Sequence, residues 1–210
     1  MPQITKLERQ KHKANRISVF VDGQYSFSVS DELAALYRLA AGMQLENAFL
    51  SRLMEEDESK RALSASFMHL SHSEKSEKQM RDFLTKKEFS QTAIQQAITR
   101  LQELGYLNDA ALAENFISGS KTLGRRAIEY KLREKGIDYE IIQNSLKALD
   151  EEDQFTCAKA LAEKQAERYR KAEGKLRRRK IRDFLARRGF EWDTITDVLN
   201  EISENWEDTE

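Results

Sequence analysis

Lysine and arginine are the side chains of this chain whose number and spacing could do chemistry. Between Lys159 and Arg188 the 210-residue sequence places 13 of them against 4 carboxylates, with acidic runs on either side at Asp150–Asp153 and Glu201–Glu210. The net charge is −1, so this segregation makes a local attractive field that the total conceals. Lys175, Arg177, Arg178, Arg179, Lys180, Arg182, Arg187 and Arg188 form the densest group, preceded by Lys164, Arg168, Arg170 and Lys171. A sparser group holds Lys121, Arg125, Arg126, Arg133 and Lys135. Such cations can neutralise phosphates and release counterions, or face an acidic protein groove where charge sets encounter rate and register. The bland alternative for any one of them is a solvated helix face, or an i,i+4 partnership with Glu129, Glu134 or Asp183.

Other candidate chemistry is thin. His69 and His72 are three apart and could share a metal on one helical face, but no cysteine or carboxylate cluster joins them, so a plain polar turn is expected. His12 is isolated. Cys157 is the single cysteine; it cannot form an internal disulfide, fits a reducing compartment and reads as a small apolar residue. Asp150-Glu151-Glu152-Asp153 lacks an EF-hand glycine and reads as a helix cap. No P-loop, GxGxxG or GxSxG motif occurs, so the expectation is a protein without catalysis, cofactor or metal. No apolar run is long enough to cross a bilayer and the N-terminus lacks a signal-peptide core, which points to a cytoplasmic protein with no membrane partner.

The elements that must position the cations come in threes. Ile181–Ile202, Ile128–Leu149 and Met80–Leu101 align without a gap at offsets of 53 and 48 residues. Apolar positions coincide at Met80/Ile128/Ile181, Leu84/Leu132/Leu185, Phe89/Ile137/Phe190, Ile94/Ile142/Ile195 and Ile98/Leu146/Leu199. A period near fifty residues means stacked units, none of which buries its apolar face alone. Each unit reads as three helices. The first has helices over Ala62–Leu70, Glu77–Lys87 and Gln91–Leu104. The second has Ala110–Ser118, Arg125–Lys135 and Asp138–Leu149. The third has Glu152–Glu173, broken at Gly174, then Lys175–Arg188 and Asp193–Ile202, with a frayed tail from Ser203. Gly136 and Gly189 stop the middle helices, whereas Glu88 stands at that position in the first unit, where the turn is expected to differ or be strained. Tyr139 and Trp192 share one repeat position with Gln91; they could stack on bases or anchor a protein, but packing between repeats is expected at a helix entry. Phe83 and Phe184 read as core.

Ahead of the repeats, Ile4–Gln10, Arg16–Val21 and Tyr25–Val29 are β-branched or aromatic, and Asp22-Gly23 supplies a two-residue hairpin turn. Ile17, Val19 and Val21 should share one face, as should Tyr25, Phe27 and Val29. Ser30 caps a helix bearing Leu33, Leu36, Tyr37 and Ala40 that stops at Gly42. Glu55–Glu58 joins two helices or lies on a solvated face, the second being expected. The fold class is therefore mainly α, a tandem array of three three-helix repeats with a small N-terminal β-sheet plus helix. The boundaries fall at 1–60, 61–107, 108–151 and 152–210.

Gly105–Ile117 (GYLNDAALAENFI), Gly124–Ile137 (GRRAIEYKLREKGI) and Ile181–Phe190 (IRDFLARRGF), with the opening Arg16–Leu39, resemble the RecX family of RecA regulators. The resemblance spans nearly the whole chain. It departs from the family pattern at His72–Ser76 and at Ile117–Ser120, where members are often basic. It implies a curved helical array that binds in the groove of the RecA–DNA filament and restrains ATPase, strand-exchange and co-protease activity in DNA repair and SOS regulation. The implied partners are RecA and its filament, with single- and double-stranded DNA also open, for a monomeric regulator. The rival expectation is a helical-repeat nucleic-acid-binding module without a specific protein target.

Overall fold

The computed structural model describes residues 1–11 and 15–207, with side chains through Ser203; His12 and the last three residues of the acidic tail lie outside the described residues. The chain divides into two compact units, residues 1–73 with 80–106 and residues 74–79 with 107–210.

In the first unit, β1 (Ile4–Arg9), β2 (Arg16–Val21) and β3 (Gln24–Ser30) form an antiparallel sheet in the order β1-β2-β3. Asp22 and Gly23 take φ of 49° and 82°, the positive values that a two-residue hairpin needs. The register runs Arg16↔Ser30 to Val19↔Phe27, then shifts to Phe20↔Tyr25. The shift leaves Ser26 without a partner on β2. One extra residue reverses the alternation of faces, so Tyr25 does not join Phe27 and Val29. Its ring is 58 % exposed and meets Phe20 edge-on at 6.0 Å.

Ser30 caps α1 (Asp31–Leu36), its hydroxyl accepting the Leu33 N–H. The helix is shorter than its apolar spacing suggests. Arg38 turns left-handed at φ 51° and Leu39 N–H bonds back to the Ala34 carbonyl, so the chain leaves the helix before Ala40, and Gly42 lies beyond it. Leu36 consequently faces solvent. α2 runs unbroken over Asn47–Leu70, carrying the chain through residues 60 and 61. Glu55–Glu58 is mid-helix and, contrary to expectation, not all solvated. Asp57 is 4 % exposed; it pairs with Arg16 at 2.8 Å and accepts the Ser30 N–H at 2.9 Å. Arg16 also donates to Ser28 from its other nitrogen. A charge this buried is tolerated only with its partners in place.

α3 (Glu77–Lys86) and α4 (Gln91–Glu103) complete the first bundle, with Met80, Leu84, Ile94, Ile98 and Leu101 buried. Ser90 caps α4 through the Ala93 N–H. Glu88 adopts φ 62°, and Phe89 N–H bonds to the Leu84 carbonyl, as Ile137 does to Leu132 and Phe190 to Leu185. The three middle-helix turns are therefore alike, with Glu88 taking the strained conformation that glycine takes in the others.

In the second unit, α5 (Asp109–Gly119), α6 (Arg125–Glu134) and α7 (Tyr139–Leu146) enclose Leu112, Ala113, Ile128, Leu132, Ile137, Ile142 and Leu146. α8 (Glu151–Arg168), α9 (Gly174–Arg187) and α10 (Trp192–Glu207) enclose a second core. Ala158, Ala162 and Ala166, four apart on α8, are fully or almost fully buried, and small side chains there let α10 approach closely. Asn108, Asp138 and Asp150 cap α5, α7 and α8. Three expected boundaries move. α8 ends at Tyr169 and Gly174 opens α9 instead of breaking α8, so Arg170 and Lys171 sit in the connecting turn. α7 stops short of Leu149. α10 continues through the supposedly frayed segment to Glu207. Arg178 explains part of that extension, because it donates to the Leu199 carbonyl, Asn200 Oδ1 and Ser203 Oγ at 2.7–3.1 Å. The fold is mainly helical, a three-stranded sheet followed by three-helix repeats.

Candidate partner-binding surface

Two joints in the second unit fix where the cations stand. In one, the Gly124 N–H donates to the Arg188 carbonyl at 2.9 Å and the Arg126 N–H to the Gly189 carbonyl at 3.0 Å. A Cβ on Gly124 would fall within 3.0 Å of the backbone at Gly189 and Phe190; one on Gly189 would strike the backbone of Ala127. The other joint repeats the design. Ser76 Oγ donates to the Lys135 carbonyl, and a Cβ on Gly136 would strike the Lys78 side chain. The first N–H of each docked helix is capped from across the joint. Asp109 accepts from Glu77 at 2.9 Å, and Gln154 accepts from Arg125 at 3.2 Å.

This packing consumes many of the expected binding residues. Arg178 holds the end of α10, as above. Arg188 reaches the Thr122 carbonyl at 3.2 Å and lies 5.2 Å over the Phe184 ring. Arg126 pairs with Glu191 at 2.8 Å across the joint, and Arg133 pairs with Glu129 at 2.6 Å on its own helix. Both pairs are largely solvated, so each contributes under about 1 kcal/mol. Arg182 pairs with its neighbour Asp183. Lys135 lies 5.8 Å over Phe116. Arg125 lines a cavity of about 560 Å³ with Glu151, Glu191, Asp193 and Asp197, an acidic setting in which it is the lone cation. Arg177 is half-buried on α9.

A different subset stays available. Lys121, Arg168, Lys175, Arg179, Lys180 and Arg187 are exposed and form no ion pair with a described residue. At about 100° per residue on α9, Lys180 and Arg187 fall on one flank, and Lys175 and Arg179 with Arg182 on another. Arg168, Lys180 and Arg187 come together around a cavity of about 250 Å³ whose walls include Tyr169 and Phe184. Tyr169 is a residue that sequence reasoning passed over. Its position just past the last turn of α8 becomes legible only once α8 is seen to end there.

The remaining candidates resolve simply. Tyr139 and Trp192 open α7 and α10 but are 58 % and 56 % exposed, so packing between repeats is not their role. Each presents its ring outward at the helix entry, Tyr139 with the Arg133 guanidinium 5.4 Å above it. Phe184 packs at the edge of the third core. His69 stacks on Phe83 at 4.0 Å. Among the described residues, no three of His, Cys, Asp and Glu are placed to hold a metal ion. The Cys157 thiol donates to the Lys121 carbonyl at 2.7 Å; burial raises its pKa and Arg188 only partly opposes this, which favours the thiol over the thiolate. No helix among the described residues is long and apolar enough to cross a membrane.

Family models for the regulatory protein RecX match four stretches of this chain. They are the RecX N-terminal domain over residues 2–46 and the first, second and third RecX three-helix domains over residues 62–101, 108–146 and 151–199. The chain belongs to the RecX family. It is 33 % identical to the regulatory protein RecX of Bacillus subtilis strain 168, across all of this chain and 81 % of that one. It is also 33 % identical to RecX of Clostridium botulinum strain Alaska E43, across 96 % of each. A crystal structure of a regulatory protein RecX superposes with a TM-score of 0.73 at 25 % identity, covering 95 % of this chain and all of that one. RecX from Lactobacillus salivarius gives 0.66 over 70 % of this chain. The chain is thus similar throughout to proteins named as regulators.

Proposed function

We propose that this protein binds the RecA–DNA filament and restrains RecA's ATPase, strand-exchange and co-protease activities as a monomeric, non-enzymatic, cytoplasmic regulator. Membership of a family of regulatory proteins supports the reading. The observation that carries it is the Gly124–Gly189 joint, which holds the second and third helical bundles in register, with Lys121, Lys175, Arg179, Lys180 and Arg187 unengaged and Tyr139 and Trp192 exposed. Bundles held in register present those cations and aromatics at fixed backbone spacing, which suits a large surface whose recognition sites recur, because the backbone that carries them needs no ordering on binding. Occupying one state of the filament would shift its population away from the state that hydrolyses ATP and exchanges strands. RecA-catalysed ATP hydrolysis on single-stranded DNA, titrated with the full chain, should fall; an unchanged rate at saturating protein removes the proposal.

The second reading, a nucleic-acid-binding module with no specific protein target, is favoured by the same free cations. Binding to RecA without DNA, compared with binding to DNA without RecA over a salt series, separates the two.

A further inference from the structure

Three cations of the third bundle converge although nothing in the fold requires them to. Arg168 at the end of α8 and Lys180 and Arg187, two turns apart on α9, line the same cavity of about 250 Å³. The wall also holds Asp183, which pairs with Arg182 at 3.0 Å, so one carboxylate stands against three cations in the lining. A second cavity, of about 360 Å³, opens beside the first and shares Arg168 and Tyr169 with it; Arg170 and Lys171 extend the wall there. Its acid, Glu167, lies 3.4 Å from Arg170. Each cavity thus has an excess of positive charge along its lining, Tyr169 belongs to both, and Phe184 forms part of the wall of the first.

We infer that the two neighbouring cavities form one track, a phosphate-binding site that takes adjacent phosphate groups. A single carboxylate carries one charge and would leave most of the excess uncompensated. Successive phosphates match a row of cations, and arginine forks suit tetrahedral oxyanions. Two sources carry that chemistry, a single strand of nucleic acid and a free polyphosphate. The inference stands apart from the RecA reading, since it needs no RecA for its test.

The experiment uses the full chain without RecA and follows a fluorescent oligothymidylate by anisotropy across a potassium chloride series. The variants are the triple Arg168→Gln/Lys180→Gln/Arg187→Gln and, as control in the first unit, Lys60→Gln/Arg100→Gln, two cations engaged by Glu32 and Glu103. Loss of three phosphate contacts should flatten the slope of log affinity against log salt by about 2 and weaken low-salt binding by roughly 10- to 100-fold. The control should change the slope by less than about 1. Lys180→Gln alone, which removes only an exposed side chain, should flatten it by about 0.7 and guards against a triple variant that fails to fold. Tripolyphosphate that binds and competes through the same three residues assigns the site to free phosphates; oligothymidylate binding without tripolyphosphate competition assigns it to a strand. An unchanged slope in the triple variant overturns the inference. So does an equal loss in triple and control, or polyglutamate competing as well as the oligonucleotide at matched charge. Inhibition of RecA ATPase that survives the triple variant would leave the RecA proposal standing whatever the fate of this one.

Discussion

The joint at Gly189 and the joint at Gly136 perform the same task with different chemistry. At Gly189 backbone meets backbone. Gly124 and Arg126 donate to carbonyls of the turn, and neither glycine has room for a methyl group. At Gly136 side chains do the work. A serine hydroxyl donates in place of an amide, and the obstacle to a Cβ is the exposed Lys78 chain. The cap differs in the same sense, the amide of Gln154 in one and the titratable carboxyl of Asp109 in the other. At Gly189 every nearest obstacle is backbone or the short Ala127 side chain, whereas at Gly136 Cγ and Cδ of Lys78 move with its torsions and only its Cβ does not, so the first joint should be the more brittle. The turn at Glu88 supplies the third case, the same left-handed conformation occupied by an exposed residue that carries a Cβ.

Gly189→Ala should have the largest effect. It combines left-handed strain with a clash against the Ala127 backbone, for a loss of about 2–4 kcal/mol. Urea denaturation at constant m-value measures it, and a loss no greater than at Gly136 would break the contrast. Gly136→Ala should cost less, about 1–3 kcal/mol, the strain of positive φ plus a shift of Lys78, whose Cβ at 2.8 Å does not move by side-chain rotation alone. Glu88→Gly should act in the opposite direction. It relieves strain without touching a joint and should stabilise by less than about 1 kcal/mol, the gain being reduced by the greater freedom of glycine in the unfolded chain. A clear destabilisation would mean that the Glu88 side chain has a role of its own.

The smallest effect concerns the two caps and depends on pH. Burial raises the pKa of Asp109, while its bond from the Glu77 N–H pulls the other way less strongly. An acid whose folded pKa lies above its unfolded value favours the native state when protonated, and that contribution is lost as pH rises through the folded pKa. Asp109→Asn keeps an acceptor for Glu77, makes this cap resemble Gln154, and removes the buried charge. The urea midpoint should rise slightly at neutral pH and stay unchanged well below the aspartate range. An equal rise at both would assign the effect to packing instead.

Local chemistry made much of the fold readable. Asp22-Gly23 forms its hairpin because few residue pairs accept two positive φ values. Ser30 and Asp150 cap the helices they precede, since a short side-chain oxygen can reach an otherwise unbonded N–H. Tyr25 was misread because a bulge leaves no mark in apolar alternation. Asp57 was misread for a different reason. Within Glu55–Glu58 it looks like its neighbours, and only Arg16, 41 residues earlier, makes it internal.

The candidate surface divides along the same line. Sequence alone determined three repeats, their helical periods and a segment dense in positive charge, because period and charge are properties of neighbours along the chain. Tertiary structure decided which of those charges remain free. Arg178 meets Ser203 25 residues away, Arg188 meets Thr122 66 residues away, and Arg168 reaches Lys180 and Arg187 only because α8 ends at Tyr169 and the chain turns back. Whether a cation is committed depends on what folds beside it: Arg133 and Arg182 meet the neighbours Glu129 and Asp183 that the sequence already offered, whereas for Arg126, Arg178 and Arg188 the deciding partners are far off in sequence.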